Sequence, residues 1–247
     1  MRLSMLVLFL ISNLAHAGLA KVEAFAPVFE LSGIRLLCEQ TVPLLARGLN
    51  EQQQAQLGDA FAADMLCLDL ARQLADAFDQ AQLQQIQRLL DSPVARRFSE
   101  AERSVGDSEG LASYREQLAR RSPRADRLAL VRRLDEAAHT STLASLLRYE
   151  VGKTQALLAL MARGESLDEQ ALSRQTANQA AALHTSSAEA VESFMLYAYR
   201  QMPSTQLAEY AALYEQPMVK LLLERCVQVL PQLFAERREM LRKAPAK

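Results

Sequence analysis

The sequence predicts an all-α protein, a helical bundle of about ten helices built from two related halves. Composition is the first observation: 50% of the 247 residues are hydrophobic, Gly and Pro number only eight each, and Trp is absent. A chain rich in Ala, Leu, Gln, Glu and Arg favours helix over strand. Second, apolar residues recur every three or four positions in the long segments, which is typical of amphipathic helices. Third, one stretch occurs twice, and an internal repeat indicates the architecture.

The first residues, 1–17, are expected to be a secretory signal peptide that is cleaved after Ala17. Arg2 supplies the positive end, residues 3–14 form the apolar segment, and Ala-His-Ala at 15–17 is the small-x-small cleavage site. The alternative is an uncleaved anchor helix, but the apolar run is shorter than the ~20 residues that a membrane span needs. We therefore expect a periplasmic protein with no transmembrane segment after cleavage.

The first half, residues 18–105, is predicted to begin with a helical hairpin whose turn lies between Gly48 and Leu57. Cys38 precedes Gly48 by as many residues as Cys67 follows Leu57, so the two cysteines are expected at the same height. An oxidising compartment favours disulfides, and we predict a Cys38–Cys67 bridge. The alternative is three buried thiols, because free cysteine is a common core residue. In either case the third cysteine is expected to be buried in a helix.

The first copy of the repeated stretch, residues 70–105, is predicted to form two helices with well-marked starts. Asp79 is a good N-cap, and Gln82 stands where a capping box requires Glu or Gln. Pro93 follows Ser92 and is expected at the first position of the next helix, where its missing N–H costs nothing.

Residues 106–138 are predicted to form two bridging helices that follow a loop over 106–110. They contain the most basic region of the chain. One interpretation is an anion-binding face for lipid headgroups, an acidic polymer or an acidic partner. The alternative, which we favour, is a solvated helix face with nearby acidic counter-charges. The arginines concerned are Arg115, Arg120, Arg121, Arg124, Arg127, Arg132 and Arg133.

The second half, residues 139–247, contains the second copy of the repeated stretch at 194–229. Pro203 stands where the first copy has Asp79, so Ser204 is the expected cap and the helix start is expected to shift by one residue.

Tyrosines are concentrated in the second copy. Tyr210 and Tyr214 are four residues apart and share a helix face. Together with Tyr197 they are candidates to line a ligand groove between the halves. The alternative, which we favour, is that they fill the core with their hydroxyls at its edge.

Each copy carries residues of one sequence motif. In the first copy they are Phe78, Asp79, Gln82, Leu83, Ser92, Pro93 and Arg96, and in the second they are Met202, Gln206, Leu207, Tyr214, Pro217 and Lys220. The motif resembles a family of secreted, all-helical bacterial domains of unknown function, which carry F-T-x-x-E-L followed by F-Y-x-S-P-x-G-x-K. The family's glycine is replaced here by Ala95 and Val219. The resemblance implies secretion and a helical fold, and it implies no catalytic residues.

Motifs for phosphate and metal binding are incomplete or missing in the sequence. Gly152-Lys153-Thr154 ends like a phosphate loop, but the earlier glycine of that motif is replaced by Leu147. His139 and His184 lack a metal-binding pattern, and we expect them to be structural, with His184 near a helix end. The formal net charge of −1 argues against nucleic acid as a partner. No cofactor is expected.

The sequence therefore predicts a non-catalytic periplasmic protein that acts through binding surfaces, with an envelope protein or an amphipathic ligand as partner. The alternative is a carrier of an apolar or amphipathic ligand held between the halves. An enzyme that uses a carboxylate pair, Glu100 with Glu102 or Glu189 with Glu192, is the least favoured hypothesis.

Overall fold

The computed structural model describes residues 20–50, 54, 57, 60–106 and 109–243. The predicted signal peptide, residues 1–17, lies outside the described residues. Within the described ranges the chain forms twelve α-helices and three short 3-10 turns, with no β-strand. The predicted all-α bundle is confirmed. In the same ranges, no helix combines the length and the apolarity that crossing a membrane requires.

The helices are α1 (Phe25–Leu31), α2 (Ile34–Leu45), α3 (Ala63–Leu74), α4 (Gln80–Leu90), α5 (Pro93–Val105), α6 (Glu109–Arg120), α7 (Ala125–Ala138), α8 (Thr140–Met161), α9 (Glu169–Thr176), α10 (Ala180–Ala198), α11 (Ser204–Tyr214) and α12 (Pro217–Lys243).

One hydrophobic core runs through both halves. It includes buried residues from α1 at one end of the chain to α12 at the other. The long helix α12 packs against α3 and α4 of the first half and against α8 of the second. Phe234 of α12 contacts Phe61, with ring centroids 5.5 Å apart. Because α12 contributes to both halves, neither half encloses its own core alone.

The predicted helix starts in the first copy are confirmed. The Asp79 carboxylate accepts a hydrogen bond from the backbone N–H of Gln82, and the Gln82 side chain accepts one from the N–H of Asp79, both at 2.8 Å. This is the reciprocal capping box. Pro93 is the first residue of α5, and the hydroxyl of Ser92 accepts from the N–H of Ala95.

The second copy starts its helix differently from the prediction. Pro203 occupies the cap position with extended backbone and no side-chain hydrogen bond, and Ser204 is already the first residue of α11. The predicted cap at Ser204 and the predicted shift are therefore wrong. Proline is tolerated there because its fixed φ suits the extended cap. The copies also differ in surroundings, since α4 packs on α1 and α11 packs on α7. A relation between the halves stays a prediction.

The bridging segment contains α6 and α7. Helix α6 begins at Glu109, so Glu109 and Gly110 are helical and the loop predicted over 106–110 is shorter than expected. An acidic residue in a first helical turn interacts favourably with the helix dipole, which explains the early start. Helix α7 buries Val131 and Leu134 against the core.

Candidate functional site: a cleft with a carboxylate at its base

A cleft with a volume of about 720 Å³ lies between α2 and the helices α5, α7, α10 and α11. Ligand pockets for small molecules usually measure about 300–1,000 Å³. The cleft is lined mainly by apolar side chains from both halves. They include Ile34, Leu37, Leu134, Leu143, Phe194 and Met195.

Among the polar side chains that line the cleft, Glu102 of α5 lies beside the tyrosines. Its Oε1 accepts hydrogen bonds from the hydroxyls of Tyr199 and Tyr210, the latter at 3.3 Å. The hydroxyls of Tyr210 and Tyr214 lie 3.2 Å apart. Among the described residues, none donates a hydrogen bond to the second oxygen, Glu102 Oε2. One carboxylate oxygen is thus held by the protein and the other is available.

The three tyrosine hydroxyls at the base of the cleft all donate their protons within the protein. Since Tyr210 donates its proton to Glu102, the contact between Tyr210 and Tyr214 requires Tyr214 to donate to the Tyr210 oxygen. Tyr199 also donates to Glu102. The base of the cleft therefore presents hydrogen-bond acceptors and no spare tyrosine proton.

Aromatic packing holds these groups in place. The ring of Phe98 stacks on the ring of Tyr210 at a centroid distance of 4.3 Å and lies 4.9 Å from the ring of Tyr199. Phe98 is fully buried on α5, one turn before Glu102. A rigid core side chain therefore positions both tyrosines on the carboxylate.

Burial sets the protonation of the group. Burial raises the pKa of Glu102, and the hydrogen bonds from Tyr199 and Tyr210 oppose this rise only in part. Burial also raises the pKa values of Tyr199 and Tyr210 well above their usual range, with further contributions from the neighbouring acidic groups. The tyrosines thus remain protonated donors at neutral pH.

The charged residues at the mouth of the cleft are two acids, Glu30 and Glu39, and two arginines, Arg35 and Arg103. Arg35 is paired with two acids, Glu39 at 2.7 Å and Asp64 at 2.5 Å. Among the described residues, neither Glu30 nor Arg103 forms an ion pair. One negative and one positive side chain are therefore left unpaired at the mouth.

Two of the three tyrosines predicted for the groove line this cleft. Tyr210 and Tyr214 do so, although Tyr210 is also only 2% exposed and belongs to the core. Tyr197 does not line it: its ring packs on Tyr114 at 5.4 Å and under the Arg200 guanidinium at 3.9 Å. Tyr199 at the end of α10 lines the cleft instead, because residues two apart on a helix face different sides.

Sequence reasoning considered Glu102 only as a partner of Glu100 and attached no role to Tyr199. Glu100 is exposed on the other side of α5, so these two carboxylates do not converge. The buried face of α5, with Phe98 one turn before Glu102, was the available signal.

The hairpin of α2 and α3 brings Cys38 and Cys67 together as predicted, with their sulfurs 2.8 Å apart. Both are free thiols in the structure, so the predicted bond between them is not shown. Cys226 is buried in α12, as expected.

A second polar cluster joins α8, α9 and α12. Arg238 is fully buried and donates to Glu150 and Glu169, each at 2.6 Å. Lys153 donates to Glu169 at 2.8 Å. Lys153 belongs to the segment that ends like a phosphate loop, and the structure places it inside α8 with acidic partners. Because the cluster's charges are paired with each other, it is a structural link between helices.

Three bridging arginines contact acidic or carbonyl groups of the second half, and Arg124 pairs with Asp126 of its own segment at 2.7 Å. Arg132 pairs with Glu192 at 2.8 Å and Arg133 pairs with Glu215 at 2.5 Å. Arg127 donates to the backbone carbonyl of Tyr199 at 2.5 Å. These contacts support the interpretation that counter-charges balance the basic segment.

The two histidines differ. His184 is the fifth residue of α10, so it lies near the N-terminal end of that helix and not near the C-terminal end, where a cation would be favourable. His139 has a left-handed backbone between α7 and α8, and its buried Nε2 has no hydrogen-bond partner among the described residues. In the same part of the chain, no group of three or more His, Cys, Asp or Glu residues is placed to hold a metal ion.

Comparison of the chain with protein-family models, with curated proteins and with solved structures finds no match.

Proposed function

We propose that this protein is a non-catalytic carrier that holds an amphipathic ligand in the cleft above Glu102. The observation that supports the proposal is the free oxygen of a partly buried carboxylate at the base of an apolar cleft. A ligand that brings a cationic hydrogen-bond donor to Glu102 Oε2 forms a charge-assisted hydrogen bond there, while its apolar part is buried against the walls of the cleft.

The same geometry indicates the chemistry of the ligand. The tyrosine protons are already used, so the ligand must supply a hydrogen-bond donor. An ammonium group is the best match, because it adds charge attraction to the hydrogen bond. The apolar walls fit a hydrocarbon body. The expected ligand is therefore an amphiphile with a cationic or strongly donating head.

The test uses two probes of equal chain length, decylamine and decanoate, measured by isothermal titration calorimetry on the mature protein. We expect decylamine to bind more tightly. Glu102→Gln replaces the free acceptor by an amide and should weaken decylamine binding roughly tenfold to a hundredfold. Glu100→Gln on the exposed side of α5 is the matched control and should bind as the wild type does.

Equal binding by Glu102→Gln and Glu100→Gln would refute the proposed role of Glu102. Preference for decanoate would refute the proposed head group. If neither probe binds, the carrier function fails, and a protein partner on the outer surface becomes the better explanation.

We further propose that the chain is exported to the periplasm, cleaved after Ala17, and oxidised there to a Cys38–Cys67 disulfide. The apolar leader at 3–14 and the 2.8 Å approach of the two sulfurs support this. A non-reducing intact mass of the protein recovered from the periplasm tests both points. A mass that includes residues 1–17 would contradict the proposed cleavage. A mass without the loss of two hydrogens would contradict the proposed disulfide.

A further inference from the structure

The two neighbouring thiols differ in their access to solvent. Cys38 of α2 is 2% exposed, whereas Cys67 of α3 is partly exposed. Their sulfurs lie within hydrogen-bonding distance, at 2.8 Å. Cys67 is therefore the more accessible residue of the two.

The charges around Cys67 favour its thiolate. The hydrogen bond from Cys38 lowers the pKa of Cys67 most, the Arg35 guanidinium lowers it further, and burial and the Asp64 carboxylate oppose them. The same hydrogen bond and burial raise the pKa of Cys38. Burial raises the pKa of Cys226 to about 12. Cys67 is thus the most exposed of the three cysteines and the one whose thiolate is stabilised.

We propose that Cys38 and Cys67 form a reversible dithiol–disulfide couple in which Cys67 exchanges with disulfides of other molecules. This inference goes beyond a static bridge and does not depend on the ligand of the cleft. A purely structural bridge needs neither a partly exposed cysteine nor a cation beside it, and this pair has both.

The exchange proceeds in two balanced steps. The Cys67 thiolate attacks one sulfur of an external disulfide, the external S–S bond breaks, and one external thiolate leaves and takes up a proton. The Cys38 thiol then loses its proton and attacks Cys67 Sγ, which releases the second external thiol. Two protein thiols are oxidised to one disulfide and one external disulfide is reduced to two thiols. Excess external thiol reverses both steps at Cys67.

The experiment exposes the reduced, native, full-length mature protein to glutathione disulfide and follows the products by intact mass. Cys38→Ser removes the resolving thiol and should accumulate a mixed disulfide on Cys67. Cys67→Ser should form at least about tenfold less adduct, because its remaining thiols are buried. Cys226→Ser is the matched control and should close the Cys38–Cys67 bridge at the wild-type rate. The proposal is overturned if Cys38→Ser forms no adduct, or if Cys67→Ser forms as much.

A second measurement covers the case in which a cysteine variant does not fold. The reduced wild type is alkylated under native conditions and the labelled peptides are quantified with time. Cys67 should react at least about tenfold faster than Cys38 or Cys226, and equal rates overturn the proposal. In Arg35→Met the pH midpoint of Cys67 labelling should move upward, a shift that a merely structural Arg35 would not produce.

Discussion

Replacing Arg238 by methionine tests how far the buried ionic cluster holds α8, α9 and α12 together. The guanidinium is fully buried and also donates to the Glu150 carbonyl at 3.3 Å and to the Thr154 hydroxyl at 3.2 Å. Methionine keeps the length and apolar volume of the stem and removes the charge. The substitution therefore tests the charge more than the packing.

The expected loss of stability depends on the carboxylates that lose Arg238 as a partner. Glu150 is 2% exposed, and without Arg238 its remaining cationic partner is Lys153, at 3.7 Å. Glu169 keeps Lys153 at 2.8 Å and Arg242 at 3.4 Å. Removing one member of a buried pair costs about 3–5 kcal/mol. For a domain of this size, that corresponds to a fall in Tm of roughly 6–20 °C.

The assay is thermal unfolding followed by circular dichroism at pH 7. Arg163→Met is the matched control, because its pair with Glu165 is 3.0 Å long but both side chains are more than half exposed. The control should cost less than about 0.5 kcal/mol. The double variant Arg238→Met with Glu150→Met removes both buried charges and should regain most of the lost stability.

A Tm for Arg238→Met within a few degrees of the control would refute the reasoning, since an uncompensated Glu150 would then carry little penalty. A double variant that is as unstable as the sum of its single variants would also refute it, because the two charges would then not be coupled.

Three further predictions concern stability. Asp79→Ala should cost about 1 kcal/mol in urea unfolding through loss of the cap, and Asp79→Asn, which retains an acceptor, should cost much less. Gly33→Ala should cost about 1–2 kcal/mol because φ is 77° there, although its Cβ would meet no atom within 4 Å. Gly152→Ala within α8 should instead stabilise by about 0.5–1 kcal/mol, and the same sign for both variants would contradict this reasoning. Burial raises the pKa of Glu169, but hydrogen bonds from the cluster bring it down to about 2 from 4.5. Its carboxylate therefore adds stability that is present above pH 4.5 and lost as pH falls toward 2. Glu169→Gln should lower Tm at pH 7 and should make Tm fall less steeply between pH 4.5 and pH 2. An unchanged dependence of Tm on pH in that range would argue against this role of Glu169.

Local features of the fold could be predicted from the sequence because their partners lie within a few residues. The capping box of Asp79 and Gln82 and the helix start at Pro93 depend on neighbours at fixed spacing. The approach of Cys38 and Cys67 could also be predicted, since a hairpin with a short connection relates positions on its two helices.

The base of the cleft could not be predicted in the same way. Glu102 and Tyr199 are 97 residues apart, and their contact depends on how α5 meets the end of α10. Arg238 and Glu150 are 88 residues apart, and their contact likewise depends on how α12 meets α8. Periodicity shows which face of a helix is buried but not which helix covers it. Polar groups that are buried by such packing are therefore hidden from a reading of the sequence alone.

The contacts of α12 with α3 determine when this chain can finish folding. Gln73 donates to Glu236, which lies 163 positions further along the chain, and Asp69 accepts from Arg237, 168 positions further along. Until the ribosome has synthesised the chain through these residues, Phe61 lacks its partner Phe234 and the apolar side of α3 stays open to water. Closure of so long a loop comes late, and a nascent chain with an open apolar face is prone to aggregate. The core around α3 can therefore be completed only after α12 has been synthesised.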